Sequence, residues 1–267
     1  MSIGSYTQIR VEQEGGILWV RLNRPRVYNA IDGAMMEELA RCFGEVGGIP
    51  GVRVLALSGE GPAFCAGADL DWMRTVAGLG MAENLDDAGL LADLLSALNS
   101  CPVPTVARAH GVIFGGGIGL LAACDVVVAA DDARFSLSEV KLGLLPAAIS
   151  PFVIAKIGQG HARALFSSGT RFDAARALRI GLVHQIAPAA ELDAAMRASL
   201  KDFLTAAPRA AAQARALINR VTGRTPTEAR AETTQLIADL RAGPEGREGI
   251  AAFLEKRKPA WIEDGGS

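Results

Sequence analysis

The sequence is poor in the residues that bind metals or form disulfides. Only three histidines and four cysteines occur among its 267 residues. The cysteines, at positions 42, 65, 101 and 124, show no C-x-x-C spacing, so neither a zinc site nor a disulfide framework is expected. We predict that no metal is bound and that the cysteines are buried free thiols in a reducing compartment.

Long apolar runs and an excess of one charge are also missing. The longest apolar run, residues 111–130, is rich in glycine and is interrupted by Asp125, so it does not predict a membrane span. The first residues lack the basic flank and apolar core of a secretory signal. A formal net charge of -2 gives no general attraction to nucleic acid or to an anionic membrane. We predict a cytoplasmic protein without either partner.

The chain is rich in apolar residues and glycine, with 50% hydrophobic residues and 30 glycines. Short buried strands alternate with helices up to about residue 150, which predicts an α/β layered core. The predicted strands are Ile9–Gln13, Ile17–Leu22, Val52–Ser58, Thr105–Ala109 and Asp125–Ala130. The predicted helices are one with Asp32 as its N-cap, one over the glycine-rich stretch, and Leu85–Leu98, Ser150–Ile157, His161–Ser168, Asp173–Ile180, Glu191–Thr205, Pro208–Val221, Thr227–Arg241 and Gly246–Lys256.

Two glycine-containing stretches carry the strongest functional signal. In Gly115–Asp125 (GGGIGLLAACD) three consecutive glycines lead into an apolar segment, although glycine disfavours regular structure. Close approach of the backbone to a ligand at a helix start, where N–H groups are free, explains this pattern. Phe64–Leu70 (FCAGADL) has the same small-residue character. One N–H from each stretch could hold a single oxyanion, whereas glycines that only permit tight packing are the alternative.

These stretches occur in a series of motifs that resembles the enoyl-CoA hydratase/isomerase (crotonase) superfamily over nearly the whole chain. Glycine at 119 and the segment 141–151 make the chain most similar to the branch that hydrates 3-methylglutaconyl-CoA and isohexenylglutaconyl-CoA. The motifs are LNRP at 22–25, NAI at 29–31, AFCAGADL at 63–70, GGGIGLLAACD at 115–125, FSLSEVKLG at 135–143, GLV at 181–183 and EGIAAFLEKRKPAW at 248–261.

The resemblance implies a fold, an assembly and a substrate. The expected core is a spiral of ββα repeats, here residues 1–193. Residues 194–267 are expected to form a helical region that builds trimers, often paired into hexamers. The substrate is expected to be an acyl-CoA, with coenzyme A entering as part of it rather than as a separate cofactor.

The resemblance also implies an oxyanion hole formed by the backbone N–H groups of Ala68 and Gly116. Hydratases with two catalytic glutamates carry one at the position of Gly119 and the other at that of Glu139. Glu139 is therefore the one carboxylate at a matched acid/base position, unless it only caps a helix or forms an ion pair. It could activate water for hydration, or it could remove a substrate proton in an isomerase. Burial would raise its pKa.

The missing side chain at Gly119 is expected to leave room for a branched or carboxylated acyl group. Lys141 is a candidate partner for the second carboxylate of such a substrate, although it could equally be a solvated lysine. The phosphates are expected to meet Arg24 and Arg26. The residues expected to contact coenzyme A or the acyl group are Arg24, Pro25, Arg26, Val27, Ala30, Ala66, Ala68, Asp69, Leu70, Phe114, Gly115, Gly116, Gly119 and Pro146, with Phe253 and Lys256 reaching from a neighbouring subunit.

Other polar residues and other function classes are less favoured. Asp69 and Asp125 are expected to hold loop and strand geometry, and the histidines have no ligand spacing. A peptidase variant would need a serine beside the hole, and the glycine run contains none. A non-catalytic protein that binds a CoA ester or RNA remains as an alternative of another class, although the chain has no basic cluster.

Overall fold

The computed structural model describes residues 4–262 and contains two β-sheets surrounded by helices. The larger sheet has the strand order β1-β2-β3-β4-β6-β9, in which β1 and β2 are antiparallel and the other neighbours are parallel. The smaller sheet has the order β5-β7-β8. The strands are β1 Ile9–Glu14, β2 Ile17–Leu22, β3 Val54–Gly59, β4 Thr105–Ala109, β5 Val112–Phe114, β6 Val126–Ala130, β7 Arg134–Ser136, β8 Phe172–Asp173 and β9 Gln185–Ala187.

Helices cover both sheets and form most of the second half of the chain. They are α1 Gly33–Glu45, α2 Leu70–Val76, α3 Met81–Asn99, α4 Gly116–Ala123, α5 Ser150–Ser168, α6 Ala174–Arg179, α7 Leu192–Thr205, α8 Pro208–Val221, α9 Pro226–Ala242 and α10 Pro244–Leu254. The predicted α/β class is therefore confirmed. None of the helices within residues 4–262 is both long enough and apolar enough to cross a membrane.

Helix α1 shows how local sequence produces the predicted elements. The Asp32 side chain accepts a hydrogen bond from the N–H of Met35, as expected of an N-cap. Met36, Leu39 and Phe43 are buried at helical spacing, so one face of α1 packs into the core. The prediction for this helix is confirmed.

The structure differs from the sequence predictions at several element boundaries. Helix α2 was not predicted, and α3 begins at Met81 rather than Leu85. The two helices predicted on either side of residue 158 are confirmed, because α5 consists of two helical stretches separated by a kink at Gly158, whose φ of 75° is not helical. The apolar pattern weakens at the start of α3, which explains why the predicted start lies four residues later than the observed one.

The last helices make little contact with the core of their own chain. Leu192, Met196 and Leu200 of α7 are buried, and α7 packs against β3, β4 and β6. By contrast, α8 buries no residue, and α9 and α10 bury one alanine each. Their exposed apolar side chains are Ile218, Ile237, Ile250, Phe253 and Leu254. The packing of α7 joins it to the core, and the division of the chain near residue 193 stays a prediction.

One arginine ties α8 to the central sheet. Arg215 Nε lies 2.7 Å from the Asp125 Oδ2 atom, and its Nη1 donates to the carbonyl oxygen of Cys101 at 2.7 Å. The same Asp125 oxygen accepts hydrogen bonds from the backbone N–H and the hydroxyl of Thr105. Asp125 therefore holds strand and helix geometry, as expected from the sequence.

Candidate active site

Two backbone segments lie side by side at the end of the glycine run. Cys65 and Ile113 form a parallel bridge, in which the N–H of Phe114 donates to the carbonyl oxygen of Cys65 at 3.0 Å. Strand β5 ends at Phe114, and Gly115 then turns the chain into α4 with φ 47°. The two stretches singled out in the sequence are thus brought together by backbone hydrogen bonds.

Two glycines make this close approach possible. A Cβ atom at Gly67 would lie 3.3 Å from the carbonyl oxygen of Phe114, and Gly67 has φ 98°. A Cβ at Gly117 would lie 2.8 Å from the carbonyl oxygen of Cys65, closer than real Cβ contacts. These glycines serve packing between the two segments, which was the alternative reading of the sequence. A ligand would instead contact the residues next to these glycines, Ala68 and Gly116.

The neighbouring residues each present an unused backbone N–H. Ala68 forms a parallel bridge with Ile31, in which the N–H of Ile31 donates to Gly67 and the N–H of Asp69 donates to Ile31. Gly116 is the first residue of α4, so its N–H has no carbonyl oxygen one turn earlier. Within residues 4–262 neither the Ala68 N–H nor the Gly116 N–H has a hydrogen-bond acceptor. Gly116 also stands at the positive end of the α4 dipole.

Glu139 places a carboxylate beside these segments. It begins a short 3-10 helix, Glu139–Leu142, and its Oε1 lies 3.2 Å from the position that a Cβ of Gly115 would occupy. The Cα of Gly67 lies 4.0 Å from that same position. Oε2 of Glu139 is buried and has no hydrogen-bond partner within the described part of the chain. Burial raises the pKa of this carboxyl above its ordinary value. Buried carboxyls without partners are rare, so this one is a functional candidate.

Apolar side chains surround the Gly116 end of the site. A Cβ on Gly116 would lie 3.2 Å from Cδ1 of Ile31 and 3.9 Å from Cδ1 of Leu91. Leu91 was not predicted as a site residue, because its helical apolar spacing cannot be distinguished from that of an ordinary core residue. Together these residues exclude water from one side of the free N–H groups, which strengthens any hydrogen bond formed there.

The space beside Gly119 is filled, contrary to the sequence-based expectation. A Cβ on Gly119 would lie 2.5 Å from Cγ2 of Ile149 and 3.2 Å from Cδ1 of Leu95. Ile149 is only 2% exposed and Leu95 is fully buried. The room predicted for a branched acyl group is therefore occupied by the side chain of Ile149, because the loop that follows Glu139 folds back over α4.

Arg24 links three backbone segments of the site through its guanidinium group. Its guanidinium lies 3.1 Å from Asp32 and 3.0 Å from Asp69, and it also donates to the carbonyl oxygen of Ala30. Asp69 in turn caps α2 by accepting the N–H groups of residues 71 and 72. Burial disfavours the ionised form of Asp69, but these N–H groups and Arg24 outweigh it and lower its pKa. These contacts give Arg24 and Asp69 a structural role in the loops, and their contacts with coenzyme A stay predictions.

The other residues expected to contact coenzyme A differ in their exposure. Arg26 and Val27 are exposed on the short 3-10 turn Pro25–Val27, which is joined to the 64–70 loop because the N–H of Ala66 donates to Tyr28. Leu70, the last residue of the 64–70 loop, is exposed, whereas Pro146 is buried. Phe253 and Lys256 are exposed at the end of α10. Their roles in binding coenzyme A stay predictions.

Lys141 does not lie in a buried position. It is exposed, and its Cε packs 3.1 Å from the position that a Cβ of Gly169 would occupy. This placement is that of a solvated lysine, the alternative stated above. Within residues 4–262 no group of three or more His, Cys, Asp or Glu side chains is placed to hold a metal ion.

Comparisons with known proteins agree on one family. The model of the family "Enoyl-CoA hydratase/isomerase" matches residues 12–264. The chain is 33% identical over 259 residues to the "Probable enoyl-CoA hydratase echA8" of Mycobacterium tuberculosis, covering 96% of this chain and 98% of that protein.

Solved structures show the same similarity. An enoyl-CoA hydratase from Shewanella pealeana has a TM-score of 0.92 and 37% sequence identity, covering 96% of each chain. Pseudomonas aeruginosa AtuE has a TM-score of 0.93 and 36% identity, covering 96% of this chain and all of the other.

The contact between Gly119 and Ile149 yields a prediction about stability. Gly119→Ala is expected to lower the free energy of unfolding by about 1–3 kcal/mol, because the new methyl group overpacks the core. In an Ile149→Ala background the same change is expected to be less destabilising, because the 2.5 Å contact with Cγ2 is removed while the Cβ of residue 149 and Leu95 remain. Gly44→Ala in α1, where no atom lies within 4 Å, is the matched control and should not destabilise. Chemical denaturation measures all four variants, and equal effects of Gly119→Ala in both backgrounds would contradict the packing argument.

Proposed function

The chain belongs to the enoyl-CoA hydratase/isomerase family and is a hydratase-type enzyme, and from this premise we propose that it adds water reversibly across the 2,3 double bond of an enoyl-CoA at Ala68, Gly116 and Glu139. The observation that carries this proposal is the buried, unpartnered carboxyl of Glu139 beside two unused backbone N–H groups.

The two N–H groups act on the thioester oxygen. When a nucleophile attacks C3 of the enoyl group, negative charge develops on this oxygen as an enolate forms. The N–H groups of Ala68 and Gly116 donate to that oxygen, and the α4 dipole favours the charge. Because both donors are fixed by the bridge between the two segments, they need no reorganisation when the charge appears. Such a donor typically lowers the barrier by about 3–4 kcal/mol.

Glu139 carries out both proton transfers. Its carboxylate takes a proton from water as the water oxygen bonds to C3, which produces the enolate and the protonated Glu139. The protonated carboxyl then donates the same proton to C2, which restores the thioester carbonyl and the carboxylate. A raised pKa suits this double role, because the group must be both an adequate base and an adequate acid. Gly119 has no side chain that could share the work.

For the acyl group we propose a branched, carboxylated enoyl-CoA such as 3-methylglutaconyl-CoA. The support is the resemblance of Gly119 and residues 141–151 to the branch that uses such substrates. Because Ile149 fills the space beside Gly119, that space cannot hold the branch of the acyl group, which must lie elsewhere in the site. The alternative activity is isomerisation of a 3-enoyl-CoA, which would use the same Glu139.

A panel of thioesters tests the substrate proposal. We expect the kcat/KM for 3-methylglutaconyl-CoA to exceed that for 3-methylcrotonyl-CoA, which differs only in lacking the second carboxylate, and that for crotonyl-CoA. Equal or reversed values would remove the carboxylate from the proposal. A 3-enoyl-CoA included in the panel is expected to remain unconverted, and its conversion to the conjugated 2-enoyl thioester without water uptake would favour the isomerase.

Glu139→Gln tests the mechanism. The variant keeps the shape of the side chain but removes the proton acceptor, so kcat should fall about 100-fold or more while thioester binding is retained. In the wild type kcat/KM should rise with pH through the raised pKa of Glu139, above the ordinary range of a glutamate, because the ionised form is the base. The residual activity of the variant should lack that rise. Glu37→Gln, at an exposed position on α1, is the control, and near-normal turnover of Glu139→Gln would refute the mechanism.

We also propose a trimer, or a hexamer of paired trimers, built by the C-terminal helices. The exposed apolar residues of α8, α9 and α10 supply the support, since Phe253 is 83% exposed and Ile218 is 63% exposed within one chain. Phe253 and Lys256 would then complete the coenzyme A site of a neighbouring subunit.

Light scattering at micromolar concentration tests the assembly. The expected mass is three or six times 27.9 kDa. Phe253→Asp should reduce this mass or weaken thioester binding, because it places a charge in the proposed subunit contact. A fully active monomer would contradict the proposal.

A further inference from the structure

A cavity lies where β5, β7, β8 and α6 meet, and its lining includes four arginines. Its volume is about 660 Å³, within the range of small-molecule sites. Arg134 belongs to β7, Arg171 precedes β8, and Arg176 and Arg179 belong to α6. Arg134 and Arg179 are 45 positions apart in the sequence. The cavity therefore gathers four positive charges although the net charge of the chain is only -2.

The positive charge in this cavity is not neutralised by the protein. None of the four arginines forms a salt bridge with a carboxylate within residues 4–262. The one acidic residue in the lining is Asp173, whose Oδ1 accepts the backbone N–H of Arg176 as the cap of α6. Nη1 of Arg134 donates to two backbone carbonyl oxygens, which orients the side chain but leaves its charge unpaired.

Aromatic rings hold two of these guanidinium groups in place. Arg171 lies over the ring of Phe114 at 5.6 Å from the centroid, and Arg176 lies over Phe172 at 5.9 Å. Stacking restricts the side chains without consuming their charge or all of their hydrogen-bond donors. The cavity thus combines ordered, unpaired guanidinium groups with an apolar floor that includes Phe114 and Phe172.

We propose that this cavity is a binding site for a nucleoside diphosphate. Guanidinium groups are suited to bidentate hydrogen bonds with phosphate oxygens, and several phosphate charges would relieve the mutual repulsion of the arginines. The base would pack against the apolar floor and the stacked guanidinium planes. Glu139, Ala68 and Gly116 do not line this cavity, and the proposal does not depend on the proposed hydration, although Phe114 in the lining is also among the residues expected to contact the acyl-CoA.

Calorimetric titration of the intact protein with ADP tests this site. The double variant Arg171→Gln/Arg179→Gln is expected to bind ADP at least about tenfold more weakly than the wild type, because it removes two charged donors. Arg26→Gln is the matched control, since Arg26 is also exposed, carries the same charge and lies on the surface expected to bind coenzyme A. It should leave this affinity unchanged.

Further arms identify the ligand class and separate this proposal from the hydratase activity. Inorganic pyrophosphate should bind more weakly than ADP, and equal affinity would overturn the assignment to a nucleotide. Unchanged affinity in the double variant, or a loss seen only in Arg26→Gln, would overturn the site. A change in the mass of the double variant by light scattering would also overturn it, since the arginines would then form a subunit contact. The kcat/KM of the double variant for enoyl-CoA should stay at the wild-type value.

Discussion

The close contact between the 64–70 loop and the start of α4 is the constraint on which the active site depends. Hydrogen bonds between Cys65 and β5 bring the two backbones together, and glycine at 67 and 117 removes the side chains that would separate them. Beside these glycines, Ala68 and Gly116 each have an N–H without an acceptor within residues 4–262. A longer side chain at Gly67 or Gly117 would change the distance between the two donors, so their spacing depends on a backbone contact.

Charge is distributed around this contact in two different ways. The single positive charge of Arg24 is shared between Asp32 and Asp69 and fixes the loops, which is a structural use of charge. Within residues 4–262 the buried Oε2 atom of Glu139 has no hydrogen-bond partner, and burial disfavours the ionised form of this carboxyl. Asp69 is a buried acid that is paired with Arg24, whereas Oε2 of Glu139 is unpaired in the part of the chain that the structure describes. The proton affinity of Glu139 is therefore set mainly by its burial.

Much of the fold and the centre of the site could be predicted from the sequence, because those features depend on local patterns. Asp32 as a helix cap, the strand alternation and the small residues of the two segments are all legible within a few positions. The ion pairs of Arg24 with Asp32 and Asp69 could not be predicted, because an exposed arginine and one held by two carboxylates look the same in sequence. The filled space at Gly119 depends on Ile149, thirty positions away, and the arginine-lined cavity gathers residues from four elements. Such features follow from tertiary packing, which a single sequence does not specify by pattern.

The packing of Ile149 against Gly119 also constrains how this enzyme could change over evolution. An acidic side chain at 119 would collide with Ile149, and a smaller residue at 149 alone would leave a void in the core. Passage between a site with one carboxylate and a site with two therefore requires coordinated replacement of both residues, and each single step is disfavoured by selection on stability. The free energy of unfolding therefore depends on residues 119 and 149 together rather than on either alone.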